Sequence, residues 1–514
     1  MLKLKLTAAA AALCAVLPAL AAGTTELRDE FFWLNEMNKA TTVINTDEGL
    51  LDKAIAPKIA AGIEKVIEAG AQPGAKRPDA ILRVEPMLIK EVGMDATRLH
   101  VGRSSQDMHA TYRSAIIRDN LILLMQELSN TMAALDEVAK NNVDTIVPNY
   151  TNGVAAQPNS YAHYLMGFQA AFARDAQRIR EFYERVNYCA MGTTVLNGTR
   201  WPLNRDRMAQ YLGFTGPVPD AYDAGQMKSM DEPVELAQIV TSIALHVGQY
   251  LEDISVQYAQ PRPWIILEEG KGNTYASSAM PQKRNPGLMM YTRVEASKVV
   301  GKAHTVEILA HNIIPGMPDP KDQDFNADLV KDALNMLART QRVIKALKIN
   351  PDRALEELNS DWTASQEIAD IFVADYGLPF RVGHHIASGI VSWARANNVK
   401  PQDFPFAEAE RIYAEVVAKE WPEAPEASKK CPMTEAVFKR ALDPKAIERA
   451  LDPKAIVAHR ATSGGPQPAE MKKALERMTK TIADNKAWAD QKKAQVNGAL
   501  AKLDADFKKL LPKG

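Results

Sequence analysis

A chain of 514 residues is long enough for roughly two to four domains, each with its own core. Its 62 Lys and Arg stand against 63 Asp and Glu, so no long-range field draws it to nucleic acid or to an anionic membrane surface. Aromatic residues are only 7 % of the chain and no stretch alternates at period two for long, which predicts an all-α fold.

Lys3 and Lys5 precede an alanine-rich apolar run over residues 6–20, and Ala19-Leu20-Ala21-Ala22 closes it. That pattern is a secretory signal peptide over 1–22, too short for a membrane span. It predicts a soluble periplasmic or secreted protein with no membrane association after cleavage. Cys14 lies inside the run, so cleavage leaves Cys189 and Cys431. Export permits a disulfide between them; two separate thiols are the simpler reading.

Several long helices follow. Over 115–138 the apolar positions Ile117, Leu121, Leu124, Leu128, Met132, Leu135 and Val138 recur at three and four, which makes one continuous stripe. Over 161–186 the stripe includes Tyr161, Leu165, Phe168, Phe172, Ile179 and Val186. Over 234–258 the apolar set covers so much of the circumference that the helix must be buried on more than one side. Such helices predict a central bundle, with subunits as well as neighbouring helices covering its most apolar member. Loops with turn chemistry separate them, among them Pro148-Asn149-Tyr150-Thr151-Asn152-Gly153.

A polar loop then runs through Ala276-Ser277-Ser278-Ala279-Met280-Pro281-Gln282-Lys283-Arg284-Asn285-Pro286. Two hydroxyls, a lysine and an amide at this spacing place a base, a cation and a hydrogen-bond donor near one small anion. Pro286 starts a helix whose N-terminus adds a positive dipole end. Glycines at 270 and 272 either let the loop open and close or merely turn the chain. His109, His163, His246, His384 and His385 fall on expected helices, where core or surface roles predominate. No HExxH, paired CxxC, GxSxG or GxGxxG occurs, so the chain calls for no metal and no cofactor. After about residue 370 a smaller helical domain begins. Within it 441–447 returns as 450–456, a local duplication, and a lysine-rich amphipathic helix ends the chain.

The loop at 276–286 resembles the S-S-x-M-P-x-K-x-N-P motif of the fumarase, aspartase and argininosuccinate lyase superfamily. His100-Val101-Gly102-Arg103-Ser104-Ser105-Gln106-Asp107 and the segment 148–158 are similar to two further motifs of its argininosuccinate lyase branch, and 192–214 and 450–465 follow that branch too. The resemblance implies a three-domain fumarase/aspartase-like fold: an N-terminal helical domain over 23–114, a central long-helix bundle over 115–369 and a C-terminal helical domain over 370–514. It also implies a homotetramer in which each active site collects its three motifs from three subunits.

By the same resemblance Ser277 is the base that, as an alkoxide, removes the proton beside a carboxylate. Lys283 and Asn285 hold that carboxylate in its aci form. Ser104, Gln106 and Thr151 contact the succinyl carboxylates, with Arg103, Gln157, Ser278 and Met280 also among the substrate-binding residues. Asn152 stands where the branch has a catalytic histidine, and Met290 where it has that histidine's glutamate partner. The segment 317–326 lacks the tyrosine that helps hold the guanidino end of argininosuccinate. His109 is the nearest replacement acid. The expected activity is a carbon-nitrogen lyase that eliminates fumarate from an N-substituted aspartate, in the manner of the ethylenediamine-disuccinate lyases. Argininosuccinate lyase proper, or a non-catalytic binding protein on the same scaffold, are the alternatives.

Overall fold

The computed structural model describes residues 28–360, 362–443 and 462–512, and helices dominate it. The expected signal segment and residues 444–456 of the repeat lie outside these. The described part opens with α1 (Glu30–Asp47), α2 (Ala56–Gly70) and α3 (Ile81–Val92). Next come α4 (Ser105–Lys140), α5 (Tyr161–Val186), the short α6 (Arg205–Tyr211), α7 (Lys228–Tyr258), α8 (Gly287–Ala310) and α9 (Gln323–Ala346). Then follow α10 (Pro351–Ser360), α11 (Ser365–Ala374), α12 (Phe380–Ala396), α13 (Phe406–Glu420), α14 (Glu435–Ala441) and α15 (Pro468–Lys508).

The largest core lies among α4, α5, α7, α8 and α9, which is the expected long-helix bundle. α5 spans the residues that its apolar spacing predicts, whereas α4 starts ten residues before the expected 115. The reason is a capping box. The Ser104 Oγ accepts from the Gln106 N–H at 2.9 Å, while Asp107 Oδ1 accepts from the Ser104 N–H at 2.8 Å. α7 buries Leu236, Ile239, Val240, Ile243, Val247, Leu251 and Ile254, yet Leu245 on its other side is 51 % exposed.

Arg118 of α4 joins this bundle to the first core. Its guanidinium is fully buried, donates to Leu212 O and to Asn187 Oδ1, and stacks between Trp33 and Phe214. Those partners are neutral, and Nε also lies 4.0 Å from Asp119 Oδ1, so hydrogen bonds, ring faces and one carboxylate together carry the charge.

Three expectations change. Segment 146–160 is an antiparallel hairpin, Ile146–Thr151 paired with Val154–Ser160, where turn chemistry alone predicted a loop. Its tip is Asn152-Gly153, with φ of 53° and 78°, the pair that a tight two-residue hairpin turn selects. The third core is built from residues within 362–442, so it begins before the expected boundary at 370. The last helix does not belong to that core. α15 buries Met471, Ile482 and Ala489 in the central core and Val496, Leu500, Leu503 and Phe507 in the N-terminal one. Its apolar stripe, too sparse to look buried in sequence, is the strap between the two. Cys189 sits in the first core and Cys431 against the third, both as free thiols.

Deleting residues 495–514 removes four apolar side chains from the N-terminal core. Each contributes about 1.5–3 kcal/mol, together on the order of the whole stability of a typical domain. Circular dichroism and limited proteolysis should show α1–α3 unfolded in the truncated chain. Melting within a few degrees of the full-length protein would contradict this packing.

Candidate active site

The loop before α8 is closed at its base by two short pairings, Tyr275 with Asn285 and Ala276 with Arg284. Asn273, buried beneath it, donates through Nδ2 to Glu268 O, and its carbonyl accepts from the Leu288 N–H at 2.9 Å. The loop is therefore anchored at both ends while Ser278, Met280 and Lys283 at its crown remain exposed. Within it the Ser277 Oγ accepts from the backbone N–H groups of Ala279 at 3.3 Å and Met280 at 3.2 Å. The Ser277 N–H in turn donates to Lys283 O at 3.2 Å, which sets the register of hydroxyl and lysine. Two N–H dipoles aimed at one oxygen favour its ionised form. Those dipoles come from the loop itself and not, as the sequence suggested, from the end of α8. Asn285 Nδ2 lies 3.4 Å from Tyr275 O, a long bond that a substrate carboxylate can replace.

Ser104, Gln106 and Arg103 gather at the N-terminus of α4. Arg103 is 6 % exposed and turned inward, donating to Thr41 Oγ1 and Asn38 Oδ1 at 3.1 Å, so here it ties α4 to α1. Burial pulls its guanidinium down to about 10, still a cation at neutral pH. Asp107 is fully buried, and its Oδ2 accepts from the Gly192 and Thr194 N–H groups. Burial pushes its carboxyl up to about 6 against the pull of these backbone donors. Gln106 Nε2 donates to Gly225 O at 2.6 Å, in the π-turn Asp223–Met227 that leads into α7. A Cβ on Gly316 would meet Gln226 Oε1 of that turn at 2.0 Å, so the chain just before Met317 packs closely on the same turn. Sequence reasoning missed this π-turn; its one signal was Gly225 inside a helix-forming stretch.

Thr151 and Asn152 are exposed at the hairpin tip, and Gln157 on the return strand donates through Nε2 to Gln366 Oε1. Lys228 near the start of α7 donates to Ser114 Oγ of α4, while Trp264, after α7, donates to Tyr150 OH of the hairpin. The hairpin and the Ser277 loop thus share one end of the bundle, and residues 104–106 with Met317 occupy the other. Between the ends runs α4, whose 36 residues span about 54 Å. One chain therefore holds all the expected site residues without bringing the two sets together.

The histidines mostly have structural partners. His246 Nδ1 donates to the buried Asp175 at 2.7 Å, His385 pairs with Glu420, and His163 Nε2 donates to Gly464 O at 2.9 Å. Met290, which stands where the branch has the glutamate partner of its catalytic histidine, is 41 % exposed, and Met317 at the other end of the bundle is 40 % exposed.

Comparison with known proteins places this geometry. The family described as Lyase matches residues 21–301, and the family described as Argininosuccinate lyase C-terminal matches residues 362–458. The argininosuccinate lyase of Methanosarcina barkeri is 28 % identical over 450 residues, covering 85 % of this chain and 84 % of that protein. That of Geobacillus sp. is 29 % identical over 447 residues, covering 84 % and 89 %. Among solved structures, EDDS lyase in complex with formate matches with a TM-score of 0.81 at 23 % identity, covering 94 % of this chain and 92 % of that one.

His109, the expected replacement acid, faces α3: its Nε2 accepts from the Ile81 N–H at 3.5 Å and its ring packs on Tyr112. Burial first, and Arg113 second, pull its pKa from 6.5 down to about 4, so it is neutral at pH 7. A base whose folded pKa is lowered costs stability as pH falls from its unfolded value to its folded one. The protein should therefore lose up to about 3 kcal/mol between pH 6.5 and pH 4 through this group. Denaturant midpoints of His109→Gln should show a flatter pH dependence in that window. Its pH–rate profile above pH 6 should match the wild type, and a lost alkaline limb there would reinstate His109 as the proton donor.

Proposed function

The chain belongs to the lyase family, on its argininosuccinate lyase branch, and we propose that it eliminates fumarate from an N-substituted aspartate other than argininosuccinate. It is a carbon–nitrogen lyase. In the proposed reaction the Ser277 alkoxide takes the proton from the carbon beside a carboxylate, and the C–H electron pair moves into that carboxylate. The resulting aci-carboxylate is held by Lys283 and Asn285. Its electrons then return to form the C=C bond while the C–N bond breaks and its pair leaves with the amine. The observation that carries this reading is the pair of backbone N–H groups on the Ser277 Oγ. A serine hydroxyl is a very weak base unless such donors stabilise its ionised form.

The substrate reading rests on what surrounds the leaving amine. Asn152 and Met290 neither titrate nor carry charge, and Met317 adds a second apolar surface. A guanidinium gains nothing there, whereas a neutral or weakly basic amine leaves with less need of a proton donor. Two further proposals complete the picture. Active sites assemble between copies in a homotetramer, which the separation of the site residues along α4 supports. Exposed Leu245, Val294 and Ile308 on α7 and α8 give the copies an apolar face to bury. The chain is also exported, as the apolar segment before residue 22 indicates. Cell fractionation with N-terminal sequencing should find the mature protein outside the inner membrane, and an intact Met1 in the cytosol would refute export.

Fumarate release should be measured on a panel of N-substituted aspartates that includes argininosuccinate. Ser277→Ala should lower it by about 10²- to 10⁴-fold with little change in stability, and an unchanged rate would remove Ser277 from the chemistry. Refolding Ser277→Ala together with Gln106→Ala should recover part of the wild-type rate, because some mixed sites then hold both native groups. No recovery would argue for a site complete within one chain.

A further inference from the structure

A second cavity lies beneath the hairpin, away from the Ser277 loop crown. Its volume is about 280 Å³, small for a ligand site, so it suits a molecule of only a few heavy atoms. Three aromatic rings line it, those of Tyr150, Tyr164 and Trp264, together with Asp253, His163 and Gln257. Gln257 is 3 % exposed, and neither its amide nitrogen nor its amide oxygen has a protein partner. Burying an amide in this state costs stability that native structures seldom accept without a partner arriving.

The other polar groups settle the charge of that partner. His163 Nε2 donates to Gly464 O, and its Nδ1 has no protein partner either. Asp253 accepts from Tyr164 OH through Oδ2 at 2.7 Å, which leaves Oδ1 for another donor. Tyr150 OH is already engaged, donating to Glu357 and accepting from Trp264 Nε1. Glu357 is balanced by Arg353, which lies outside the lining. No lysine or arginine is among the described residues that line the cavity. The chamber therefore offers one carboxylate, the orphaned Gln257 amide, His163 Nδ1 and three ring faces, beside the Asn149–Asn159 amide pair in which Asn159 Nδ2 donates to Asn149 Oδ1.

We propose that this cavity binds a small organic ammonium ion. Its N–H groups reach Asp253 and the acceptors of Gln257 and His163, and its carbon end packs on the rings through cation–π and apolar contact. Since Tyr150 precedes Thr151 in the hairpin, an occupant braces the strand that carries Thr151 and Asn152. The site is independent of the elimination chemistry and needs no turnover to detect.

The test is calorimetric titration of the full-length Ser277→Ala protein with n-propylammonium, using propionate as the anionic control and repeating the titration with saturating fumarate. Saturable binding of propylammonium, none of propionate and no displacement by fumarate are expected. Asp253→Asn should weaken the binding by roughly 10- to 100-fold. Gln257→Leu should weaken it too while raising the melting temperature of the unliganded protein, because an orphaned amide is replaced by methyl groups. That rise shows the variant is folded, so the proposal stays testable even if Asp253→Asn does not fold. Absence of binding, equal affinity in Gln257→Leu, or displacement by fumarate, which would move the amine to the active site, would each overturn the proposal.

Discussion

The length of one uninterrupted helix governs the rest of the molecule. α4 is begun by the Ser104/Asp107 capping box and kept going for 36 residues by a continuous apolar stripe against α5, α7 and α9. At 1.5 Å per residue such a rod fixes the distance between its two ends far beyond the reach of any side chain. The residues that cap it and the hairpin that follows it therefore belong to opposite poles. The expected site residues sit at those poles, and the bundle between them is a spacer. In the proposed homotetramer a neighbouring rod brings the opposite pole alongside.

At the pole that holds Ser277 the chemistry is local. A short loop folds back so that the N–H groups two and three residues on converge on the serine oxygen, and pairing at 275–276 with 284–285 holds that turn closed. At the other pole the controlling contacts are longer. Gln106 and Gly316 both contact one π-turn, so the residue that meets the succinyl carboxylates in the proposed site and the glycine before Met317 share one support. π-turns interrupt a helix at some cost and recur at functional sites.

Much of this was legible in the sequence because local rules wrote it there. The spacing of apolar residues marks α5 to the residue, and Ser104 with Asp107 three positions on is a capping signature even though the stripe alone suggested a start at 115. Asn152-Gly153 is a hairpin signal that was outweighed by the helical composition around it. The loop at 276–286 announces its chemistry through residue types at fixed short separations. In each case the interacting groups lie within a few positions of one another, so the physics that joins them is visible in a short window.

The sequence by itself determined the all-helical class, the family, and the residues with the chemical capacity for the reaction. What only the tertiary structure decided are relations between residues far apart in the chain. α15 straps the central core to the N-terminal one, Arg103 turns inward to α1, His109 is spent on the start of α3, and Tyr150, Asp253 and Gln257 wall one chamber. None of these follows from spacing, because a side chain's partner tens to hundreds of residues away is set by how rigid helices pack. Burial and charge exist only once that packing is complete.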